Sequence, residues 1–357
     1  MVSLAVEISG LKLRNPVMTA AGPPMSDASA LLNAAESGVG GLITNTITRN
    51  PIICYPYLCK VRDGILSATL CSPLKAEAWA REIAQVKRTG LPLIASIGFT
   101  LEDVKEIAPI MLEAGVDAIE VSVARTTSLS AFREMVSGAR KIIPKPLFFK
   151  LNTNMVNLQE FARVAQHEGA DGITVIDAVG PVIAIRDDGF SMLGSVGGEG
   201  WLSGPPIKPL ALRALAEICS SVSLPVIGAG GISEGRDVAE FIMMGAWAVE
   251  VNSAAILRGS KVYGQIVKEL LQFMQMKGYQ KIEDMRGLAL RHLPKTPFTS
   301  PKVPEVFSSK CTGCGLCIRY CIYGAMKLVG KMPKLDTTKC TGCGLCVSVC
   351  PTGALRL

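Results

Sequence analysis

Residues 224–253 read LPVIGAGGISEGRDVAEFIMMGAWAVEVNS. An apolar run over 224–228 ends in glycines. A helical stretch follows over 233–244, then a second apolar run over 247–251. Both runs are continuous rather than alternating, which predicts parallel strands buried on both faces. Strand, glycine turn, helix and strand make one βα repeat of a parallel sheet. Gly228, Gly230 and Gly231 allow backbone N–H groups to wrap an anion, and the helix expected from Ser233 aims its positive end at the same place. Asn252 and Ser253, just after the second strand, add polar contacts there.

The same beat extends toward the N-terminus. Val17–Gly22 is a first strand ending in small residues, followed by a helix over 26–37 with Ser26 as its N-cap. Gly41–Asn45 is the second strand, and 46–72 is a long irregular stretch. Helices at 73–89, 101–114, 128–142, 156–168 and 207–221 then precede strands at 92–97, 117–123, 146–151, 172–176 and 224–228. The strand at 247–251 is the eighth, and a final helical region covers 255–291. A glycine-rich loop fills 177–206. Eight units in this length predict an α/β chain of the (β/α)8 TIM-barrel class. Its active site belongs at the carboxyl ends of the strands, with phosphate after strands seven and eight. Lys150, in Phe148-Phe-Lys-Leu-Asn, is a cation inside an apolar strand and so needs an anionic partner at the barrel mouth.

The tail carries a second signal. Lys-Cys-Thr-Gly-Cys-Gly-Leu-Cys occurs at 310–317 and again at 339–346, each copy extending to C-x2-C-x2-C-x3-C. This is the spacing of paired [4Fe–4S] clusters in which the fourth cysteine of each run serves the other cluster. One set is then Cys311, Cys314, Cys317 and Cys350, and the other is Cys340, Cys343, Cys346 and Cys321. A disulfide framework requires an oxidising compartment, and zinc does not explain the crossed fourth cysteine. The expected organisation is a barrel over 1–292, a proline-rich linker over 293–304, and a two-cluster domain over 305–357. Clusters move single electrons. A group that exchanges them for electron pairs, at a phosphate-binding barrel mouth, is most simply a flavin.

The formal charge is +7. In the tail Lys310, Arg319, Lys327, Lys331, Lys334, Lys339 and Arg356 face only Glu305 and Asp336. These cations offset anionic clusters or steer an acidic partner. No aromatic residues interleave with a basic stripe, so nucleic acid is not the expected partner. The N-terminal stretch has no signal-like apolar run, and no window reaches the apolar length of a membrane helix. The expected location is cytoplasmic, without membrane insertion.

The segments LKLRNPVMTAAG, GLITNTITRNP, PLFFKLNTN, GADGITV, LSGPPIKPLALRAL and PVIGAGGISEGRDVAEFIMMGA resemble the dihydroorotate dehydrogenase and dihydropyrimidine dehydrogenase superfamily of FMN barrels over residues 4–291. The order of barrel then bacterial-ferredoxin-like α+β domain resembles a bacterial dihydropyrimidine dehydrogenase catalytic subunit. The resemblance implies FMN against Ala20, Ala21 and Gly22, with Lys150 on the N1 side of the ring. It places Ser203 and Gly204 on the flank, and Gly230, Gly231, Asn252 and Ser253 at the phosphate. The family's strand-two lysine falls at Asn45 and its strand-four asparagine at Ser122, both taken as cofactor contacts. Its catalytic cysteine falls at Arg125, a candidate carboxylate or phosphate clamp, and its Asn-Thr after strand six falls at Asp177-Ala178. Asp177 is therefore a candidate base or a ribityl contact. Cys54, Cys59, Cys71, Tyr55 and Tyr57 are further candidates near the second strand.

The expectation is an iron–sulfur flavoprotein oxidoreductase working at a carbon–carbon bond of a small substrate other than a pyrimidine. A relay subunit holding FMN within a larger complex, and a dihydroorotate or dihydropyrimidine dehydrogenase proper, are the alternatives. The expected partners are a small substrate and a redox protein, either a separate FAD/NAD subunit or a ferredoxin, in a homo- or hetero-oligomer.

Overall fold

The barrel strands are Val17–Thr19, Leu42–Ile43, Leu93–Gly98, Ala118–Ser122, Leu147–Leu151, Gly172–Val175, Val226–Ala229 and Ala248–Val251. Each pairs in parallel with its neighbour in sequence from the second onward, and the eighth pairs with the first. A parallel bridge between Met18 and Gly41 joins first to second, with the Gly40 N–H donating to the Val17 carbonyl at 2.7 Å. Gly40 permits this closure because a Cβ there would lie 1.9 Å from the Asn15 carbonyl oxygen. The computed structural model describes residues 2–123 and 128–357, and these form two compact units, Met1–His292 and Leu293–Leu357. The first is the (β/α)8 barrel.

Helices wrap the strands because their apolar residues fall on one face. Leu129–Ile142 buries Phe132, Met135, Val136 and Ala139, and Phe132 meets Phe149 of the fifth strand edge-on at 5.7 Å. The first helix is Ala28–Glu36, and its N-cap is Asp27, not Ser26: the Asp27 carboxylate accepts from the Ala30 N–H at 2.9 Å. Among the described residues no helix is long and apolar enough to cross a membrane.

Two features stand beyond the eight repeats. Val6–Ile8 and Leu11–Leu13 form an antiparallel hairpin around Ser9-Gly10, and Ser9 Oγ donates to the Asp171 carbonyl at the start of the sixth strand. The hairpin therefore sits at the end of the barrel remote from the site. The stretch 46–72 is not wholly irregular, nor is the loop 177–206. Leu58–Lys60, Ile65–Ser67, Val179–Ile183 and Glu199–Ser203 assemble into one four-stranded antiparallel sheet at the site end, with Trp201 opposite Ser67 and Ser203 opposite Ile65.

The second unit contains the antiparallel pair Glu305–Val306 with Leu355–Arg356, the hairpin Met326–Val329 with Met332–Leu335, and two short helices, Leu316–Arg319 and Leu345–Ser348. Each helix follows a left-handed glycine, Gly315 or Gly344, so the sequence repeat is also a backbone repeat. Its buried apolar cluster is small: Cys317, Met326 and Leu355.

Candidate active site

Lys150 lies inside the barrel rather than at its rim, with 4 % of its surface exposed. Its ammonium donates to Glu120 of the fourth strand at 3.3 Å and to Glu250 of the eighth. Glu120 also accepts from Thr174 Oγ1 at 2.7 Å. Burial opposes the charge on all three groups. At Lys150 the Glu120, Glu250 and Asp177 charges outweigh it, so the ammonium stays protonated well above its usual range. At Glu120 the Lys150 charge, with hydrogen bonds from Glu250, Thr174 and Lys150, holds the carboxyl below its usual range despite burial. At Glu250 burial and the Glu120 charge prevail and push the carboxyl well above its usual range. One ammonium thus faces two carboxyls whose proton affinities are pushed in opposite directions. Neither glutamate is a residue that strand periodicity singles out. The available signal is a lone acid within each of two otherwise apolar strands, AIEVS and AVEV.

Two adjoining clefts open above this triad. The inner one, of about 440 Å³, is lined by Lys150, Glu250 and Asp177 together with Ala20, Ala21, Ser203, Gly230, Gly231, Asn252 and Ser253. The outer one, of about 560 Å³, shares Lys150, Asp177, Ser203 and Asn252 and adds Gly22, Thr46, Ile65, Thr69, Leu70 and Trp201. The antiparallel sheet of the two long loops therefore forms the wall of the outer cleft. Gly22 has no room for a side chain, because a Cβ would lie 2.0 Å from Asn252 Nδ2, which donates to the Ala21 carbonyl.

Several sequence candidates fall elsewhere. Asn45 is buried and turned onto its own backbone, its Oδ1 accepting from the Thr46 N–H. Ser122 is buried beneath Asp177, 3.4 Å from Oδ2. Gly204 abuts Gly64 at the start of a short 3₁₀ turn. None of the three lines either cleft. Arg125 lies outside the described residues. Asp177 accepts from the Ala178 N–H and lines both clefts. Cys54, Cys59, Cys71, Tyr55 and Tyr57 line neither. Tyr55 is 75 % exposed, and the Cys71 thiol contacts the Ile52 carbonyl.

The helix after the seventh strand also departs from expectation. It spans Gly235–Met243, and the Ser233 and Glu234 N–H groups both donate to Asp237 Oδ2, while the Gly235 N–H donates to Glu269. Its N-terminus is already satisfied. Gly230 and Gly231, at φ 108° and 85°, and Ser253, at the start of the helix Ser253–Arg258, line the inner cleft and would meet an anion there.

The inner cleft fits FMN. Glu250 Oε1 and Asn252 Oδ1 are buried and lack a hydrogen-bond partner. Ile176, Ile207 and Ala229 give it an apolar wall for a flat ring, and glycines leave its far end free of side chains.

In the second unit a small cavity is lined by Cys311, Cys314, Cys317 and Cys350, the crossed set. Burial raises the Cys317 thiol, and neighbouring Cys314, Cys311 and Cys350 raise it further. Burial likewise raises Cys346, next to Cys343, Cys340, Cys317 and Cys321. Cys321 and Cys350 are each lowered, hydrogen bonds outweighing burial: backbone N–H groups including that of Ala325 at Cys321, and the Thr352 hydroxyl with backbone N–H groups including that of Ala354 at Cys350. Crowded thiols with amide N–H donors are the donor set of an anionic cluster rather than of a disulfide.

A closed barrel with a buried cation under its mouth, followed by crowded thiols, defines a flavin- and iron–sulfur-dependent oxidoreductase. Comparison with known proteins agrees. The dihydroorotate dehydrogenase family matches residues 3–274, and two 4Fe-4S binding domains match residues 303–326 and 333–356. The dihydroorotate dehydrogenase B (NAD(+)) catalytic subunit of Methanothermobacter thermautotrophicus is 31% identical over 302 residues, covering 80% of this chain and 98% of that protein. Its counterpart in Pyrococcus horikoshii is 31% identical over 302 residues, covering 81% and 98%. A putative dihydroorotate dehydrogenase A (fumarate) of Solibacter usitatus is 29% identical over 300 residues, covering 80% and 97%. The chain belongs to the dihydroorotate dehydrogenase family. It is an oxidoreductase of CH–CH bonds with FMN and two [4Fe–4S] clusters as cofactors.

Proposed function

We infer that this enzyme oxidises or reduces a carbon–carbon bond of a small substrate other than a pyrimidine. The observation that carries the substrate class is the lining of the outer cleft. Ile65, Leu70 and Trp201 offer apolar surface, Thr46, Ser67 and Thr69 offer hydroxyls, and Asn252 alone among the described lining residues offers a side-chain amide. A dihydropyrimidine presents alternating N–H and C=O groups, and an unmatched polar edge in such a cleft is costly. The position of the family's catalytic cysteine is Arg125.

FMN in the inner cleft supplies the exchange between electron pairs and single electrons. Ala20, Ala21, Gly22, Lys150, Ser203, Gly230, Gly231, Asn252 and Ser253 hold it, and the crossed cysteine sets hold the clusters. Lys150 keeps a fixed positive charge at the floor of both clefts, stabilising negative charge that develops above it. Asp177, with Lys150 the only titratable side chain shared by both clefts among the described residues, gives or takes the proton at the substrate carbon. The antiparallel sheet walls one side of the cleft where that step takes place. An open outer cleft supports an enzyme rather than a relay subunit.

The activity of the relatives favours a second reading, dihydroorotate as substrate. Their description as catalytic subunits also supports a separate redox subunit in a larger oligomer, and the unpaired thiols suit a reducing, cytoplasmic setting. Anaerobic turnover of the full, cofactor-loaded chain decides the substrate. Dihydroorotate and dihydrouracil should be turned over no faster than background, whereas a panel of unsaturated carbonyl compounds should yield a substrate that Asp177→Asn slows at least about 100-fold. A kcat/KM for dihydroorotate above about 10⁴ M⁻¹s⁻¹ would overturn the reading.

A further inference from the structure

The hairpin Met326–Val329 with Met332–Leu335 has two different faces. Leu328 and Pro333, which are paired across it, line the cavity of Cys311, Cys314, Cys317 and Cys350. Its turn presses on the loop between the first two of those cysteines: a Cβ at Gly313 would lie 2.9 Å from the Lys331 carbonyl oxygen. On the opposite face Lys327 and Lys334 are directly paired, both exposed, with Lys331 exposed at the turn and Val329 61 % exposed beside them. Like charges placed opposite each other across a strand pair repel. Among the described residues, none of these three lysines forms an ion pair; in this unit only Lys339 does, with Asp336. The fold thus keeps an uncompensated cationic face one strand layer from a cluster cavity, about half of the ~10 Å that separates packed sheets.

The geometry points to this face as the docking surface for an acidic electron-carrier protein. A cluster enclosed by protein exchanges electrons only with a partner that comes close, and this one-strand-thick hairpin places three lysines without ion pairs over one side of the cavity. Opposite charge steers such a partner onto the face, and Val329 offers it apolar contact. The inference rests on the clusters being the electron route of the enzyme.

The test uses the full chain, purified without oxygen, with an acidic plant-type [2Fe–2S] ferredoxin as probe. Iron and FMN are assayed on every sample, which separates loss of cofactor from loss of docking. The wild-type protein should bind the probe at low ionic strength and weaken at least about ten-fold near 0.2 M salt. Lys327→Glu/Lys334→Glu should weaken binding at least about ten-fold at low salt with iron retained. Lys12→Glu/Lys141→Glu, which makes the same charge change on exposed barrel lysines, should bind as wild type. If the hairpin variant loses iron, Lys327→Gln/Lys334→Gln takes its place, with a loss of at least about three-fold expected. Equal losses in both double variants would overturn the inference, as would unchanged binding with full iron. So would a hairpin variant that breaks a dimer of this chain and leaves probe binding intact.

Discussion

In the barrel, Lys150, Glu120 and Glu250 come from three different strands and are charge partners buried together. In the second unit the reactive groups are thiols drawn from two short runs, and only Cys317, Met326 and Leu355 form a buried apolar cluster. The barrel holds its buried charges within a large apolar core. The cysteine unit has little core, and its ligands become thiolates, whose mutual repulsion only bound metal offsets. One region is folded around its site; the other is folded by it.

Stripping iron should break this contrast most visibly. Chelation under oxidising conditions removes metal-derived stability on the order of 10 kcal/mol from the second unit. Limited proteolysis should then cut beyond His292 while the barrel remains intact. A tail that resists protease without iron would contradict the contrast.

Lys150→Met comes next. It leaves Glu120 and Glu250 buried without a cation, a change worth about 3–5 kcal/mol, and urea unfolding of the barrel should register it. Combining it with Glu120→Gln should recover much of the loss, because an uncharged set needs no cation. Strictly additive losses would mean that the three groups do not act as a unit.

A smaller effect separates the two glutamates by pH. Glu250 has a raised folded-state pKa. The stability it contributes is therefore present below the ordinary carboxyl range and is lost as pH rises through its raised value. Glu120 has a lowered one, so its contribution is present above the ordinary carboxyl range and is lost as pH falls through the lowered value. Urea midpoints of Glu250→Gln should gain on wild type as pH rises from about 5 to 9. Parallel curves would show that Glu250 is already ionised. Smallest is Asp27→Ala, which removes one cap from a barrel helix and should cost about 1 kcal/mol in urea unfolding without changing FMN content.

The same contrast explains what the sequence discloses. The cysteine sets are legible because each run of four follows one fixed spacing within a dozen residues and the spacing occurs twice, and the crossed set of Cys311, Cys314, Cys317 and Cys350 lines one cavity. The eight strands are legible because each is a continuous apolar run. The Lys150 triad is only half legible. A lysine in an apolar strand announces a partner, but Glu120 is 30 residues away from it and Glu250 is 100 away. The wall of the outer cleft is less legible still. Ile65–Ser67 pairs with Glu199–Ser203, and prolines at 51 and 56 and glycines near 189–200 obscure both segments. The Val6–Leu13 hairpin is the reverse case, since Val-Glu-Ile and Leu-Lys-Leu alternate around Ser9-Gly10 and carry their own signal. Ser26 misleads as a cap because Asp27, one residue on, takes that place and accepts from the Ala30 N–H.

The most direct test of the account is simultaneous quantitation of iron and FMN in the full chain purified without oxygen. The account predicts about eight iron atoms and one FMN per chain. Four or fewer irons, or a chain free of flavin, would contradict it.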